Sequence, residues 1–113
     1  MTETHTLHSL KKIEIIVHGD KETFVRDLLN DAGVSGYTIH RDVEGRGEHG
    51  MHEGRLLFND RDGLVMFFAV ADTPVIETIM DGLTPLLEKS SGVMFITDTR
   101  VVRLTKFVRE AEE

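Results

Sequence analysis

The stretch LVMFFAVAD, residues 64–72, is the most apolar part of the chain and decides which fold to expect. A nearly continuous apolar run of this length predicts a β-strand. The strand is either buried on both faces or placed at an interface between copies of the chain. The run is far too short to span a bilayer.

The residues that follow this strand predict a helix and then another strand. Thr73 followed by Pro74 is a good helix start. The predicted buried stripe of this helix is Val75, Ile76, Ile79, Met80, Leu83 and Leu87. Pro85 lies inside that pattern and predicts a kink or a break between residues 82 and 84. GVMFITDT (92–99) predicts the next strand, and VVRLTKF (101–107) predicts a short fifth strand or an extension of the sheet edge.

The residues that precede residue 64 repeat the same order of elements. LKKIEIIV (10–17) is rich in β-branched residues and predicts a strand. Asp20 is suited to cap a helix that Gly33 ends. The predicted buried stripe of this helix is Phe24, Val25, Leu28, Leu29 and Ala32. GYTIHRDV (36–43) predicts the second strand.

The βαββαβ order predicts an α+β, ferredoxin-like sandwich with an antiparallel four-stranded sheet and both helices on one face. The strands carry more apolar side chains than one helical layer can cover, so we expect the other face to be buried by self-association. Residues 1–113 form one domain, with a flexible N-terminus (1–9), a long connection between strands 2 and 3 (44–62) and a solvated tail (108–113).

The composition excludes several classes of function. A formal net charge of −7 argues against a general nucleic-acid binder, which needs a basic face. The absence of cysteine excludes disulfides and thiolate metal sites. The first residues lack the basic and apolar regions of a signal peptide, so a cytoplasmic location is expected.

The connection contains GRGEHGMHEGR (45–55), which has too little apolar surface to order itself and is expected to be mobile. Gly45, Arg46 and Gly47 place a guanidinium between exposed backbone N–H groups, an arrangement that suits phosphate or bicarbonate. The nearby histidines are better explained as solvated loop residues, and no metal is predicted.

Four stretches follow one another along the chain: KKIEIIV, AGVSGYTI, the glycine-containing connection and SSGVMFITDTRVVRL. In this order they resemble the PII signalling protein superfamily over about residues 10–107. The resemblance implies a homotrimer whose sheets face inward, with an adenine nucleotide in each of three clefts between subunits. It also implies that residues 44–62 are the T-loop, which senses ligand and engages a protein partner.

The nucleotide-binding residues are predicted from this resemblance and from the chemistry of the individual residues. Gly36 allows close approach of the backbone to a base, and the Thr38 hydroxyl can hydrogen-bond to it. The full predicted set is Gly36, Tyr37, Thr38, Gly92, Val93, Arg100 and Arg103. Gly45, Arg46 and Gly47 are the predicted phosphate or bicarbonate site at the base of the loop.

Several residues differ from the typical family pattern, and these differences indicate which nucleotide to expect. Val93 replaces a lysine that meets nucleotide phosphates, and Thr105 replaces one of two phosphate-binding arginines. We therefore expect ADP or AMP to be favoured over ATP. The loop lacks the tyrosine that is uridylylated in typical members, and the glutamine that supports 2-oxoglutarate binding is missing. These changes resemble the PII-like branch linked to inorganic carbon, whose members associate with carboxysomes or bicarbonate transporters.

Other functions explain the sequence less well. No nucleophile–base pair and no pair of suitably spaced carboxylates stands out, so an enzyme is not predicted. For the PII-like protein, the expected target of residues 44–62 is a transporter or an enzyme complex. One alternative is a structural trimer whose loop docks on a protein partner and binds no small molecule. Another is a trimer related to divalent-cation tolerance proteins, which explains the GYT and SSGVMFI matches less well.

Overall fold

The computed structural model describes residues 6–44, 63–104 and 107. These residues form β1 (His8–His18), α1 (Glu22–Ala32), β2 (Thr38–Val43), β3 (Leu64–Ala71), α2 (Thr73–Lys89) and β4 (Gly92–Val101). The sheet is antiparallel in the order β2-β3-β1-β4, so the predicted α+β ferredoxin-like arrangement is confirmed. β1 begins inside the segment that was expected to be a flexible N-terminus.

Alternation along the strands builds the core on one side of the sheet. Ile13, Ile15 and Val17 of β1 are buried beside Val65 and Phe67 of β3. The helices cover this face with Val25, Leu29, Ile76, Ile79 and Leu83, all of which are buried. Both helices therefore lie on one face of the sheet, as predicted.

The opposite face of the sheet is not covered by the helices and is called the open face below. It is formed by Leu10, Lys12, Glu14 and Ile16 of β1, Leu64, Met66, Phe68 and Val70 of β3, and Val93, Phe95, Thr97 and Thr99 of β4. Phe95 is 51% exposed and Val93 is 43% exposed, although both are large apolar residues. In β3, Leu64, Met66 and Phe68 are half-buried on this face and Val70 is buried, so residues 64–72 are not fully buried on both faces within one copy.

The two ends of α1 differ in how well the sequence predicted them. Gly33 ends the helix with a left-handed φ of 95°, as predicted, and its N–H donates to the carbonyl of Asn30. The prediction that Asp20 caps the helix is wrong. A short 3₁₀ turn, Gly19–Lys21, precedes α1 and contains Asp20. The N–H of Gly19 donates to the carbonyl of Gly63 at 2.6 Å, which connects this turn to the start of β3.

The expected break in α2 is absent, because the helix continues through Pro85 to Lys89. Proline removes the N–H that would donate to the carbonyl of Asp81. Both Asp81 and Pro85 lie on the exposed side of the helix, where water can hydrogen-bond to that carbonyl. One residue earlier in the helix, the Thr84 hydroxyl donates to the carbonyl of Met80 at 2.7 Å.

Three smaller predictions are also corrected. Phe24 is 47% exposed and Met80 is 37% exposed, so neither belongs to the buried stripe of its helix. The buried apolar stripe of each helix is therefore narrower than expected. β4 ends at Val101, and residues 102–104 form no further strand. Within the described residues, no helix has the length and apolar character needed to cross a membrane.

Substitution of Ile79 tests the one-sided core. Ile79 is fully buried, whereas its neighbour Met80 is 37% exposed. Ile79→Ala is expected to lower the free energy of unfolding by about 2–5 kcal/mol, because it removes buried methylenes and leaves a cavity. Met80→Ala, the matched control, is expected to change it by about 0.5 kcal/mol or less. Denaturant unfolding at one fixed protein concentration measures both values, and equal losses would contradict the assigned core.

Candidate functional site

The first group of predicted site residues lies where the chain enters β2. Gly36 is exposed, and no described residue beyond its two chain neighbours has an atom within 4 Å of the position that a Cβ would take. The backbone there is open to a ligand. Thr38 is exposed at the first position of β2, opposite Phe68. Tyr37 is half-buried, with its ring centroid 6.0 Å from that of Phe67, so its side chain packs on the core.

The second group lies at the start of β4. Gly92 has a φ of 157°, and a Cβ there would lie 2.9 Å from Leu87 Cδ2 and 3.2 Å from the carbonyl oxygen of Ile16. Close packing between β4, β1 and α2 therefore explains this glycine without a ligand. Val93 lies on the open face opposite Ile16 and is available for contact.

The third group lies at and beyond the other end of β4. Arg100 is opposite Ser9 of β1, and Arg103 follows the strand; both arginines are exposed. Arg100 lines a cleft of about 760 Å³ at the start of α2. The other lining residues are Ser9, Leu10, Lys11, Asp72, Thr73, Pro74, Asp98 and Thr99. Arg100 is thus placed beside a polar cleft that the sequence did not predict.

Charges of both signs line this cleft. Lys11 Nζ donates to Asp98 Oδ1 at 2.6 Å. Asp72 occupies the position before α2, but its side chain makes no capping hydrogen bond. Its Oδ1 atom is buried and has no hydrogen-bond partner among the described residues. The cleft therefore has hydrogen-bonding capacity that the described residues leave unused.

One copy of the chain does not bring the three groups together. Gly92 and Arg100 are eight positions apart on one strand, which corresponds to about 27 Å. β2 and β4 form opposite edges of the sheet, about 14 Å apart, with β3 and β1 between them. A site that used Thr38, Val93 and Arg100 together would need more than one copy of the chain.

The predicted anion site, Gly45, Arg46 and Gly47, and most of the expected T-loop lie outside the described residues. The strand that leads to them is described and carries a fixed distortion. The pairing of β2 with β3 shifts register between Arg41 and Val43, and Asp42 has a φ of 61°. A β-bulge of this kind bends the strand and increases its local twist.

An ion-pair cluster holds the same end of β2 to α1. Arg41 donates to Glu22 through Nε (3.2 Å) and Nη2 (2.6 Å), and Arg26 forms a further hydrogen bond to Glu22 Oε2. Hydrogen bonding from Arg41 is the main reason that the pKa of Glu22 is lowered, and burial opposes the shift. The sequence does not reveal this cluster, because Glu22 and Arg41 are 19 positions apart and no local pattern connects them.

Metal binding finds no support in the described residues. Within residues 6–44, 63–104 and 107, no three histidine, aspartate or glutamate side chains are grouped so as to hold a metal ion. His40 lies on β2 opposite Met66, and the two histidines of the predicted loop, His49 and His52, lie outside the described residues.

Comparisons with known proteins identify the family. A family model described as nitrogen regulatory protein P-II matches residues 10–106. The chain therefore belongs to the P-II family, and the resemblance drawn from its sequence is confirmed. The search of curated proteins found no match.

Solved structures include several of CPII, a nitrogen regulatory PII-like protein from Thiomonas intermedia K12. CPII bound to ADP, AMP and bicarbonate is 42% identical, covers 94% of this chain and 100% of its own, and has a TM-score of 0.85. CPII bound to ADP and bicarbonate is 41% identical, with coverages of 92% and 99% and a TM-score of 0.80. The apo form is 37% identical, with coverages of 88% and 99% and a TM-score of 0.70.

Glu22→Gln tests the ion-pair cluster through the pH dependence of stability. Because the pKa of Glu22 is below its ordinary value of 4.5 in the folded state, its contribution is present above that value. The contribution is lost as the pH falls through the lowered pKa. The pair is partly exposed, so the variant is expected to lose about 1 kcal/mol or less at neutral pH.

Denaturant unfolding between pH 7 and pH 3 provides the measurement, with the exposed α2 residue Glu77→Gln as control. The parent and the control are expected to lose more stability on acidification than Glu22→Gln does. Parallel pH profiles for all three proteins would show that the cluster does not hold β2 to α1.

Proposed function

We propose that this chain is a PII-like regulatory protein that forms a homotrimer and binds an adenine nucleotide in each cleft between subunits. ADP and AMP are the favoured ligands, ATP is the weaker alternative, and binding is coupled to bicarbonate. The observation that carries the proposal is the similarity to CPII, 42% identical over 94% of this chain, whose structure is bound to ADP, AMP and bicarbonate.

The placement of the predicted residues supports a site shared between copies. Thr38, Val93 and Arg100 lie on different edges or ends of one sheet, so one chain offers only parts of a nucleotide site. Association through the open face would bury Val93 and Phe95, which one chain leaves exposed. The same contact would place β4 of one copy beside the sheet of another.

The residue at position 93 supports the preference for shorter phosphate chains. Valine provides no charge, whereas typical family members have a lysine at this position that faces the nucleotide phosphates. A charge-assisted hydrogen bond contributes about 1.5–3 kcal/mol, so its absence selectively weakens binding of the triphosphate. Gly45, Arg46 and Gly47 are the proposed site for phosphate or bicarbonate at the base of the T-loop.

Nucleotide binding would have a regulatory effect on another protein. Residues 44–62 would respond to the nucleotide and engage a protein target, either a transporter or an enzyme complex. The proposed role is signalling, not catalysis, with a location in the cytoplasm, either free or at the carboxysome. Membership of the P-II family favours this role over that of a divalent-cation tolerance relative.

Calorimetric titration with ADP, AMP and ATP, each with and without bicarbonate, tests the proposal. ADP or AMP is expected to bind at least tenfold more tightly than ATP, because position 93 lacks a cation. Bicarbonate should strengthen adenylate binding, and the adenylate should strengthen bicarbonate binding by the same factor. Absence of binding by every adenylate up to millimolar concentration would overturn the proposal and favour a structural trimer without a small-molecule ligand.

Arginine variants locate the phosphate contacts in the same titration. Arg100→Ala and Arg103→Ala are each expected to weaken ADP binding by about tenfold or more, through loss of a charge-assisted hydrogen bond. Lys89→Ala makes the same change of charge at an exposed position of α2 and is the control, expected to leave the affinity unchanged. Unchanged affinity in both test variants would show that these arginines do not contact the nucleotide.

A further inference from the structure

Two charged residues, Lys12 and Glu14, lie in the middle of the otherwise mainly apolar open face. The sheet register places Lys12 between Val70 and Thr97, and places Glu14 between Phe68 and Phe95. The Lys12 and Glu14 side chains are 35% and 34% exposed. Charged groups at the centre of a surface that is suited to apolar contact need a specific reason.

The two side chains interact only loosely within one chain. Lys12 Nζ is 3.8 Å from Glu14 Oε2, which is too long for a direct hydrogen bond. The same nitrogen lies 5.4 Å from the centre of the Phe68 ring, within the range of a cation–π contact. Both head groups therefore have capacity for a closer partner of opposite charge.

We propose that Lys12 and Glu14 pair with Glu14 and Lys12 of adjacent copies and thereby fix the orientation in which copies associate. This inference rests on the self-association in the proposed function. The two positions carry opposite charges on one strand, so the face is complementary to a second copy of itself. A partner surface of uniform charge would be repelled by one of the two residues.

The Lys12 and Glu14 pairs affect the orientation in which copies associate more than the affinity of the association. Apolar contacts such as those of Val93 and Phe95 are favourable in many registers, because burial of apolar surface is not directional. Burial of Lys12 or Glu14 without an opposite charge is costly, so only registers that bring the two together are allowed. The ion pairs would thus hold the separated nucleotide-binding segments of adjacent copies at a common cleft.

Charge reversal tests the proposal, with native mass spectrometry of the full chain as the readout of assembly. Lys12→Glu and Glu14→Lys each place like charges at the contact. Each is expected to raise the concentration needed for half-assembly by about tenfold or more. The double variant K12E/E14K restores opposite charges and is expected to assemble like the parent.

Mixing distinguishes pairing between copies from pairing within one copy. Neither single variant has an internal Lys12–Glu14 pair, but a contact between the two variants brings opposite charges together. Co-expression of the two, one carrying an affinity tag, is expected to yield mixed oligomers in preference to either variant alone. Co-expression also tests the proposal if a single variant does not fold by itself.

The exposed α2 residue Lys89→Glu makes the same charge change as K12E and is the control, expected to assemble like the parent. Assembly of K12E and E14K at the parent's concentration would overturn the proposal, as would absence of mixed oligomers. Calorimetry with ADP on the parent is a separate readout. A parent that assembles without binding ADP would contradict the proposed nucleotide function and leave the pairing intact.

Discussion

Burial of one face of a four-stranded sheet beneath two helices is the constraint on which the rest of this structure depends. Ile13, Ile15 and Phe67 point toward the helices and are almost completely excluded from solvent, and Leu29 and Ile79 pack on them from α1 and α2. Because side chains alternate along each strand, the same pairing that builds this core places another set of residues on the other face. The two helices cover only one face, so Val93 and Phe95 of the open face remain exposed in one copy. In the proposed trimer, this face contacts a further copy.

The same topology separates the residues that we assign to nucleotide binding. Thr38 belongs to one edge strand, Val93 to the other, and Arg100 lies near the far end of the strand that begins at Gly92. Self-association is therefore a requirement of the proposed nucleotide site. In this account the apolar residues of the open face supply most of the association free energy, and Lys12 and Glu14 select the orientation. CPII from Thiomonas intermedia K12, bound to ADP, AMP and bicarbonate, has the same fold over nearly its whole length.

The sequence predicted the fold well where the signal was local. A nearly continuous apolar run predicted β3, and a segment rich in β-branched residues predicted β1. Gly33 predicted the end of α1, where the backbone adopts a left-handed conformation that suits glycine. Predictions failed where neighbouring elements decide the conformation. Asp20, for example, lies in a 3₁₀ turn whose first residue, Gly19, donates a hydrogen bond to Gly63 at the start of β3. The contact of Arg41 with Glu22 could not be predicted, because it depends on how β2 packs beside α1. For the candidate site, family resemblance supplied the positions, and the structure shows that Gly92 and Tyr37 also have packing roles.

Native mass spectrometry of the parent chain, titrated with ADP at micromolar protein concentration, tests the central claim most directly. That claim is that the nucleotide site exists only between associated copies. The account predicts a trimer that takes up at most three ADP molecules, and no ADP on any monomer that is present. A monomer that binds one ADP as tightly as the trimer does would contradict the account, because Thr38, Val93 and Arg100 are too far apart in one copy to form the site together.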